Sequence, residues 1–283
     1  MDSTQSFQSA AWRRLKKNKG AVFGLIVIFL AVLVAIFAYF IAPDPSPYSN
    51  RIILEIGGEK PGYKQSFIKV KKDKDVVSAG FFSQLASGKE DVYHYIPIDS
   101  HQQNGDSIIV QKYIDDGLSE RMAYHISQTA STPAITKKFW LGTDKYGRDI
   151  FSRIIVGTRV SLSVGLITVI ISLSIGLLLG SLAGFFRGRT DDIIMWFINV
   201  IWSIPTLLLV FAITLALGKG FWQIFIAIGL TMWVNVARLV RGQVLGVREL
   251  EYVEATRALG FSNFRIIVRH IWPNIMGPVM VIA

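Results

Sequence analysis

The residues able to do chemistry fall in two clusters. The first is Asp144, Arg148 and Asp149, where carboxylates and a guanidinium lie close enough to serve hydrolysis at an interface or anchoring at a membrane surface. In the second, Glu249, Glu251 and Glu254 are set against Arg248, Arg257, Arg265 and Arg269, an arrangement suited to docking another protein or to pairing within the run. Elsewhere the inventory is thin. His94, His101, His125 and His270 are scattered and there is no cysteine, so no metal site, disulfide or cofactor is expected. The sequence lacks a Gly-x-x-x-x-Gly-Lys-Ser/Thr phosphate cradle, a Gly-x-Ser-x-Gly elbow and a His-Glu-x-x-His pair. No pair of intramembrane carboxylates offers itself for hydrolysis, and no charged residue sits deep in any apolar run, which argues against a proton- or sodium-coupled carrier. The expectation is a non-enzyme whose energy enters from a partner.

The elements that must position these clusters are membrane spans. Of 283 residues, 51% are hydrophobic and only 18% charged, against roughly 25% charged in soluble domains. The net charge of +10 would suit nucleic acid, but the basic residues flank apolar runs as the positive-inside rule expects. The surroundings are therefore membrane lipid, with no nucleic acid. Residues 1–20 carry Arg13, Arg14, Lys16, Lys17 and Lys19, and read as a cytoplasmic N-terminus. Residues 21–41 are free of charge and long enough to cross a core of ~30 Å. A signal peptide would have a shorter apolar core of ~7–15 residues, so this is a first transmembrane helix.

Residues 42–139 are polar and alternate in patches. They read as a small α+β extracytoplasmic insertion, with strands near 67–71, 92–96 and 107–111 and a helix over Leu118–Ser127. Residues 140–159 are expected as an interfacial helix, capped by Thr143 or Asp144, with Ile150, Phe151, Ile154 and Ile155 on its apolar face. Residues 160–283 are expected to hold the remaining transmembrane region. Its spans are expected at 160–186, at 193–217 with a kink at Pro205, and at 221–237. Ser172, Gly176, Gly180 and Gly184 give the first of these a face without bulk, for close packing of a neighbour. Asn199, Trp202, Ser203, Pro205 and Asn235 are candidates to line a pathway, with helix–helix hydrogen bonding as the alternative. The parity of four spans and the arginines around 238–274 put that loop in the cytoplasm. The apolar run 275–283 is under half a span, so a fifth helix is expected to be cut short.

Within the loop, Leu245–Leu259 holds good helix formers, Gly260 supplies a left-handed stop, and Ser262 is a fair cap for a second helix over Asn263–His270. That helix would carry Phe264, Ile267, Val268 and Ile271 on one face, and Pro273 would open the next segment. Small residues at Ala255, Thr256 and Ala258 leave room for another protein.

Glu254-Ala255, Gly260 and Pro273, at these spacings, resemble the EAA loop of permease subunits of bacterial ABC importers, in the oligopeptide/dipeptide branch. Thr256 stands where a second alanine is usual, and Trp272 replaces a leucine. The segment Trp140–Asp149 is similar to the one preceding the transport domain in the same permeases. The resemblance implies an all-α polytopic membrane protein of the ABC importer type I permease fold in the bacterial cytoplasmic (inner) membrane. It implies ATPase coupling through Glu254, Ala255, Thr256, Arg257, Gly260 and Pro273, with Glu254 touching the ATPase or held by Arg257 or a backbone N–H. The implied partners are a second homologous permease subunit, two cytoplasmic ATP-binding subunits and an extracytoplasmic solute-binding protein. Peptide is the implied solute, with nickel or another small solute as the alternative. A rival class is a membrane-anchored receptor acting through residues 42–139.

Overall fold

The computed structural model describes residues 12–282 apart from 14, 74–79 and 219. Of the expected cytoplasmic segment 1–20, residues 1–11 and Arg14 lie outside the described residues, as do 74–79 of the expected insertion. The chain divides into two compact units, Met1–Leu162 and Ser163–Ala283.

In the first unit, helix α1 (Lys19–Ile36) starts where the Asn18 side chain accepts from the Gly20 and Ala21 N–H groups at 3.1 and 3.2 Å. A short α2 (Ala38–Ile41) continues it after a break at Phe37. The polar segment then folds as an antiparallel sheet. Its strands are β1 (Lys64–Lys71), β2 (Tyr93–Asn104), β3 (Ser107–Asp115), β4 (Leu118–His125) and β5 (Thr129–Lys138), in the order β4-β3-β2-β1-β5. One short helix, α3 (Phe81–Ser87), precedes β2. The alternation of β1 sends neighbouring residues to opposite faces. Phe67 packs with Ile53, Ile56, Tyr113 and Phe139, and Ile68 packs with Ile98, Ile108 and Val110.

Two expectations are corrected here. Leu118–Ser127 is not an α-helix: residues 118–125 form β4, paired with β3, and Ile126–Gln128 make a single 3₁₀ turn. Nor is 140–159 a separate interfacial helix. Residues 140–149 form a turn-rich loop, and helix α4 runs unbroken from Ile150 to Phe186. The loop is fixed to the unit's own backbone. Gly142 and Gly147 have φ of +75° and +69°, and a Cβ on either would collide with the carbonyl oxygen of Glu59 or Ile53. Asp149, rather than Thr143 or Asp144, caps α4 by accepting from the Ser152 N–H at 3.1 Å.

In the second unit, α4 is followed by α5 (Gly188–Trp202), α6 (Thr206–Leu217) and α7 (Phe221–Val247). Where one span kinked at Pro205 was expected, α5 and α6 are two helices at 92° to each other. Pro205 offers no N–H, and the chain turns through Ser203 and Ile204 before α6 begins. Among the described residues three helices are long and apolar enough to cross a membrane (α1, α4 and α7), with a fourth crossing if the bent pair is one span.

Beyond α7 lie α8 (Glu251–Ala258), α9 (Asn263–Ile266), a π-helical turn at Ile267–Ile271, and α10 (Trp272–Ile282). Leu245–Leu259 is therefore not one helix, because α7 ends at Val247 and α8 starts afresh. Pro273 opens the next segment as expected: it lies in the first turn of α10, where a missing N–H costs little, and a π-helical turn precedes it without a break in the chain's helical path.

Candidate functional site

The charged loop rests on a glycine seam. Cβ atoms added to Gly176, Gly180 and Gly184 would lie 2.5, 2.8 and 2.9 Å from side-chain atoms of Val236, Val240 and Val244 respectively. Small residues every fourth position on α4 thus receive valines every fourth position on α7, the close approach that small-residue faces permit in membranes. The pairing ascends along both helices, so α4 and α7 run parallel. The connecting pair α5–α6 must then carry the chain back from the end of α4 to the start of α7.

The loop shares its core with this seam. Val253 of α8 and Ile266, Ile267, Ile271 and Ile275 pack in one buried cluster with Phe185, Val236, Val240 and Val244. Beside it, the Trp272 indole N–H donates to the buried Ser181 Oγ at 2.8 Å. At the hinge, α8 closes in a Schellman arrangement. Phe261 N–H reaches the Thr256 carbonyl at 3.1 Å, Gly260 N–H reaches the Arg257 carbonyl at 2.9 Å, and Gly260 has φ of +77°. The expected left-handed stop at Gly260 is present. Ser262 precedes α9 without a side-chain capping bond.

The expected coupling residues divide by exposure. Glu254, Ala255 and Arg257 face outward with Gly260 and Pro273, while Thr256 is buried and its hydroxyl donates to the Val253 carbonyl at 2.6 Å. The sequence suggested an Arg257–Glu254 pair. Instead the Arg257 guanidinium lies 4.9 Å from the Phe185 ring centroid, and no hydrogen bond or ion pair to the Glu254 carboxylate is found among the described residues. Two exposed residues were missed as surface features. Leu259 is 73% and Phe264 is 76% exposed, so Phe264 leaves the apolar face assigned to it while Ile267 and Ile271 stay buried. Their hint was position: both flank the hinge glycine.

The candidate pathway residues gather around the α5–α6 bend. Arg238 donates to Asn199 Oδ1 at 2.6 Å and stacks 3.6 Å from the centre of a Trp202 ring. Trp202, Thr206, Thr231 and Asn235 border a small cavity there. The Ser203 hydroxyl turns back to the Val200 carbonyl at 2.7 Å, and Pro205 is exposed. Arg241 makes a two-pronged pair with Asp191, both bonds 2.6 Å, tying α7 to the start of α5.

The other cluster is structural in form. Burial opposes ionisation of Asp144, but hydrogen bonds from the Arg148 side chain and from the Arg148 and Tyr146 backbone hold its carboxyl below the ordinary value. This is a turn clasp. Among the described residues no group of histidine and carboxylate side chains is placed to hold a metal.

A polytopic membrane protein with a hinged, charged loop packed on a glycine seam is the class these features define. Its sequence matches the profile of the binding-protein-dependent transport system inner membrane component over residues 176–283, and that of the N-terminal transmembrane domain of oligopeptide transport permease C over residues 6–55. The dipeptide transport system permease protein DppC of Lactococcus lactis is 31% identical over 277 residues, covering 98% of this chain and 69% of that protein. The oligopeptide transport system permease protein OppC of Bacillus subtilis is 44% identical over 146 residues, covering 52% of this chain and 48% of that protein. A glutathione transport system permease protein, GsiD of Pectobacterium atrosepticum, is 40% identical over 142 residues, covering 50% and 47%. The chain spans about half the length of two of these relatives and 69% of the Lactococcus protein. It belongs to the binding-protein-dependent transport permeases, in their oligopeptide/dipeptide branch. Its relatives are transport subunits rather than enzymes.

Proposed function

We propose that this chain is the permease subunit of an ATP-driven peptide importer in the bacterial inner membrane, and that the loop from Glu251 to Asn274 couples it to a cytoplasmic ATPase. It would form half of a pathway with a second homologous permease, be driven by two ATP-binding subunits, and receive peptide from an extracytoplasmic solute-binding protein. In this reading the N-terminus is cytoplasmic, the sheet of residues 64–138 lies outside, and the bundle adopts the type I permease arrangement. The relatives' peptide substrates favour peptide over nickel or another small solute.

The observation that carries the coupling role is the shared core. Val253 and Ile266 are fully buried in the same cluster as Val240 and Val244 of the transmembrane seam. Packed interiors transmit displacement instead of absorbing it. A partner gripping exposed Glu254, Ala255, Leu259 and Phe264 would therefore move α7 with the loop.

Gly260→Val tests this reading. No atom lies within 4 Å of the added Cβ, so its effect is backbone strain at φ +77° and not a clash, worth about 1–2 kcal/mol. We expect the variant to insert normally and to lose peptide-stimulated ATP hydrolysis and uptake in proteoliposomes with its partners. Uptake and stimulated hydrolysis both unchanged would reject the assigned role of the hinge.

A further inference from the structure

The short helix of the sheet unit has no task in the transport reading. In α3, Phe81 is 60% and Phe82 is 81% exposed, and no residue of the helix is buried. Their two rings meet edge to face at 5.6 Å, and the Phe81 ring lies 5.3 Å from that of Phe40 in α2. Phe37, Phe40 and Ile41 are themselves exposed. The two phenylalanines therefore extend the apolar surface that α1 and α2 turn outward. A contiguous exposed apolar patch marks a place of contact with a partner or a membrane.

The helix is held in this pose at its other end. The Arg159 guanidinium of α4 donates to the Leu85 carbonyl in the last turn of α3, where helical carbonyls lack partners and the dipole favours a cation. The same guanidinium lies 5.5 Å from the Tyr39 ring centroid. Gly88, with φ of +80°, closes against Tyr39 and Pro45: a Cβ there would lie 2.6 Å from the Pro45 carbonyl oxygen and 2.9 Å from the Tyr39 ring. The Lys89 N–H donates to that carbonyl at 2.8 Å. A fixed backbone, and not a loose loop, presents Phe81 and Phe82.

Two apolar runs set the depth of α3 independently. Residues 21–40 carry no charge and, at 1.5 Å each, cover about 30 Å, the thickness of a hydrocarbon core. Phe40, with Phe81 against it, thus falls where that core ends. On α4, Arg159 is the last charged residue before the uncharged run 160–186, so the turn of α3 that it holds lies at a boundary as well. The two runs agree because α2 packs on the start of α4, Ala38 and Tyr39 sharing a core with Ile155 and Val156.

We propose that α3 is a foot of the sheet unit on the membrane, with Phe81 and Phe82 inserted among lipids where acyl chains meet headgroups. Lipid is the occupant because the phenylalanines continue the outward surface of α1, which a membrane span presents to lipid. The foot requires that α1 and α4 cross the membrane and is independent of the coupling role of the loop.

The protein has no cysteine, so one introduced thiol can carry a nitroxide label. The full chain is labelled at Phe82→Cys, at Ile28→Cys in the middle of α1, or at Gln103→Cys at the far end of β2, and placed in phospholipid nanodiscs. All three side chains are exposed, and circular dichroism verifies that each variant is folded. Oxygen concentrates in lipid and a nickel chelate stays in water. We expect the ratio of oxygen to nickel collision rates at position 82 to lie several-fold above that at 103 and below that at 28. A ratio at 82 equal to that at 103, with position 28 reading lipid, would overturn the foot and leave the spans standing. Photocrosslinking in native membranes from p-benzoylphenylalanine at position 82 identifies the occupant. Lipid adducts support the foot, and capture of a polypeptide in their place would overturn it.

Discussion

Gly180→Ala is the smallest change that probes the seam between α4 and α7. The new Cβ would lie 2.5 Å from the Ala237 carbonyl oxygen and 2.8 Å from Val240 Cβ, where ordinary contact starts at 3.4 Å. One obstacle is backbone, so a rotamer change cannot relieve it, and the helices must part by about 0.9 Å. Overpacking of this kind costs about 1–3 kcal/mol, while alanine in place of a helical glycine returns about 0.5–1 kcal/mol. Gly242→Ala supplies the reference, because a Cβ there meets nothing within 4 Å on the same helix as the valines. The propensity gain is common to both variants, so their difference isolates packing. We expect Gly242→Ala to be slightly more stable than the parent, with Gly180→Ala about 1–3 kcal/mol below Gly242→Ala. Reversible unfolding of the purified protein in mixed detergent micelles, followed by circular dichroism, measures this gap. Two variants of equal stability would refute the seam.

Two further outcomes follow from polar groups. Trp272→Phe removes the 2.8 Å bond to Ser181 and strands a buried hydroxyl, at a cost of about 1–3 kcal/mol; adding Ser181→Ala should restore part of the loss, and strict additivity in the same micelle assay would show that the bond is not formed. For Lys137 the sign is set by an amine held at about 8 when folded against a model value of 10.5. The unfolded chain binds more protons in that interval, so stability contributed by this group rises with pH from about 8 and is depressed below it. Above about 10 the trend is opposed by Tyr95, raised to about 12 by burial and its bond to Asp91. Lys137→Met should therefore raise the thermal midpoint at neutral pH and flatten the rise between pH 8 and 10, and an unaltered slope would contradict it.

The transport half of the chain was legible because membrane spans and loop motifs are local signals. An apolar run declares a span, and a glycine after good helix formers declares a stop, as Gly260 does. The glycine repeat at 176, 180 and 184 announced a close-packed face, though not that its partner would be the valine ladder of α7. The sharp bend at Pro205 was underestimated, since a proline in a span reads as a kink and its angle depends on neighbouring helices. The sheet was harder. Leu118–His125 contains leucine, glutamate, arginine, methionine and alanine, all good helix formers, yet pairing with β3 overrides that preference. Asn104-Gly105 and Asp116-Gly117, with φ of +58° and +76° at the glycines, were the available hairpin signals. β5 was hidden by Pro133, which is tolerated because the strand lies at the sheet edge and its pairing with β1 is irregular between Ile68 and Val70. The missing Glu254–Arg257 pair has a similar cause: sequence proximity on a helix favoured it, but an aromatic ring from another helix was nearer the guanidinium.

The common core of loop and seam bears on what can be exchanged between related permeases. A graft limited to residues 251–274 would transplant Val253 and Ile266 without the valines and Phe185 that they pack against. The natural cassette is larger. It begins at the glycine repeat of α4, includes all of α7, and ends in α10 near Val279, so chimaeras with their junctions outside that block keep every partner of the loop together. Under the proposed coupling role, specificity for an ATPase would be inherited along with a pair of membrane helices, and neither would drift far in sequence without the other.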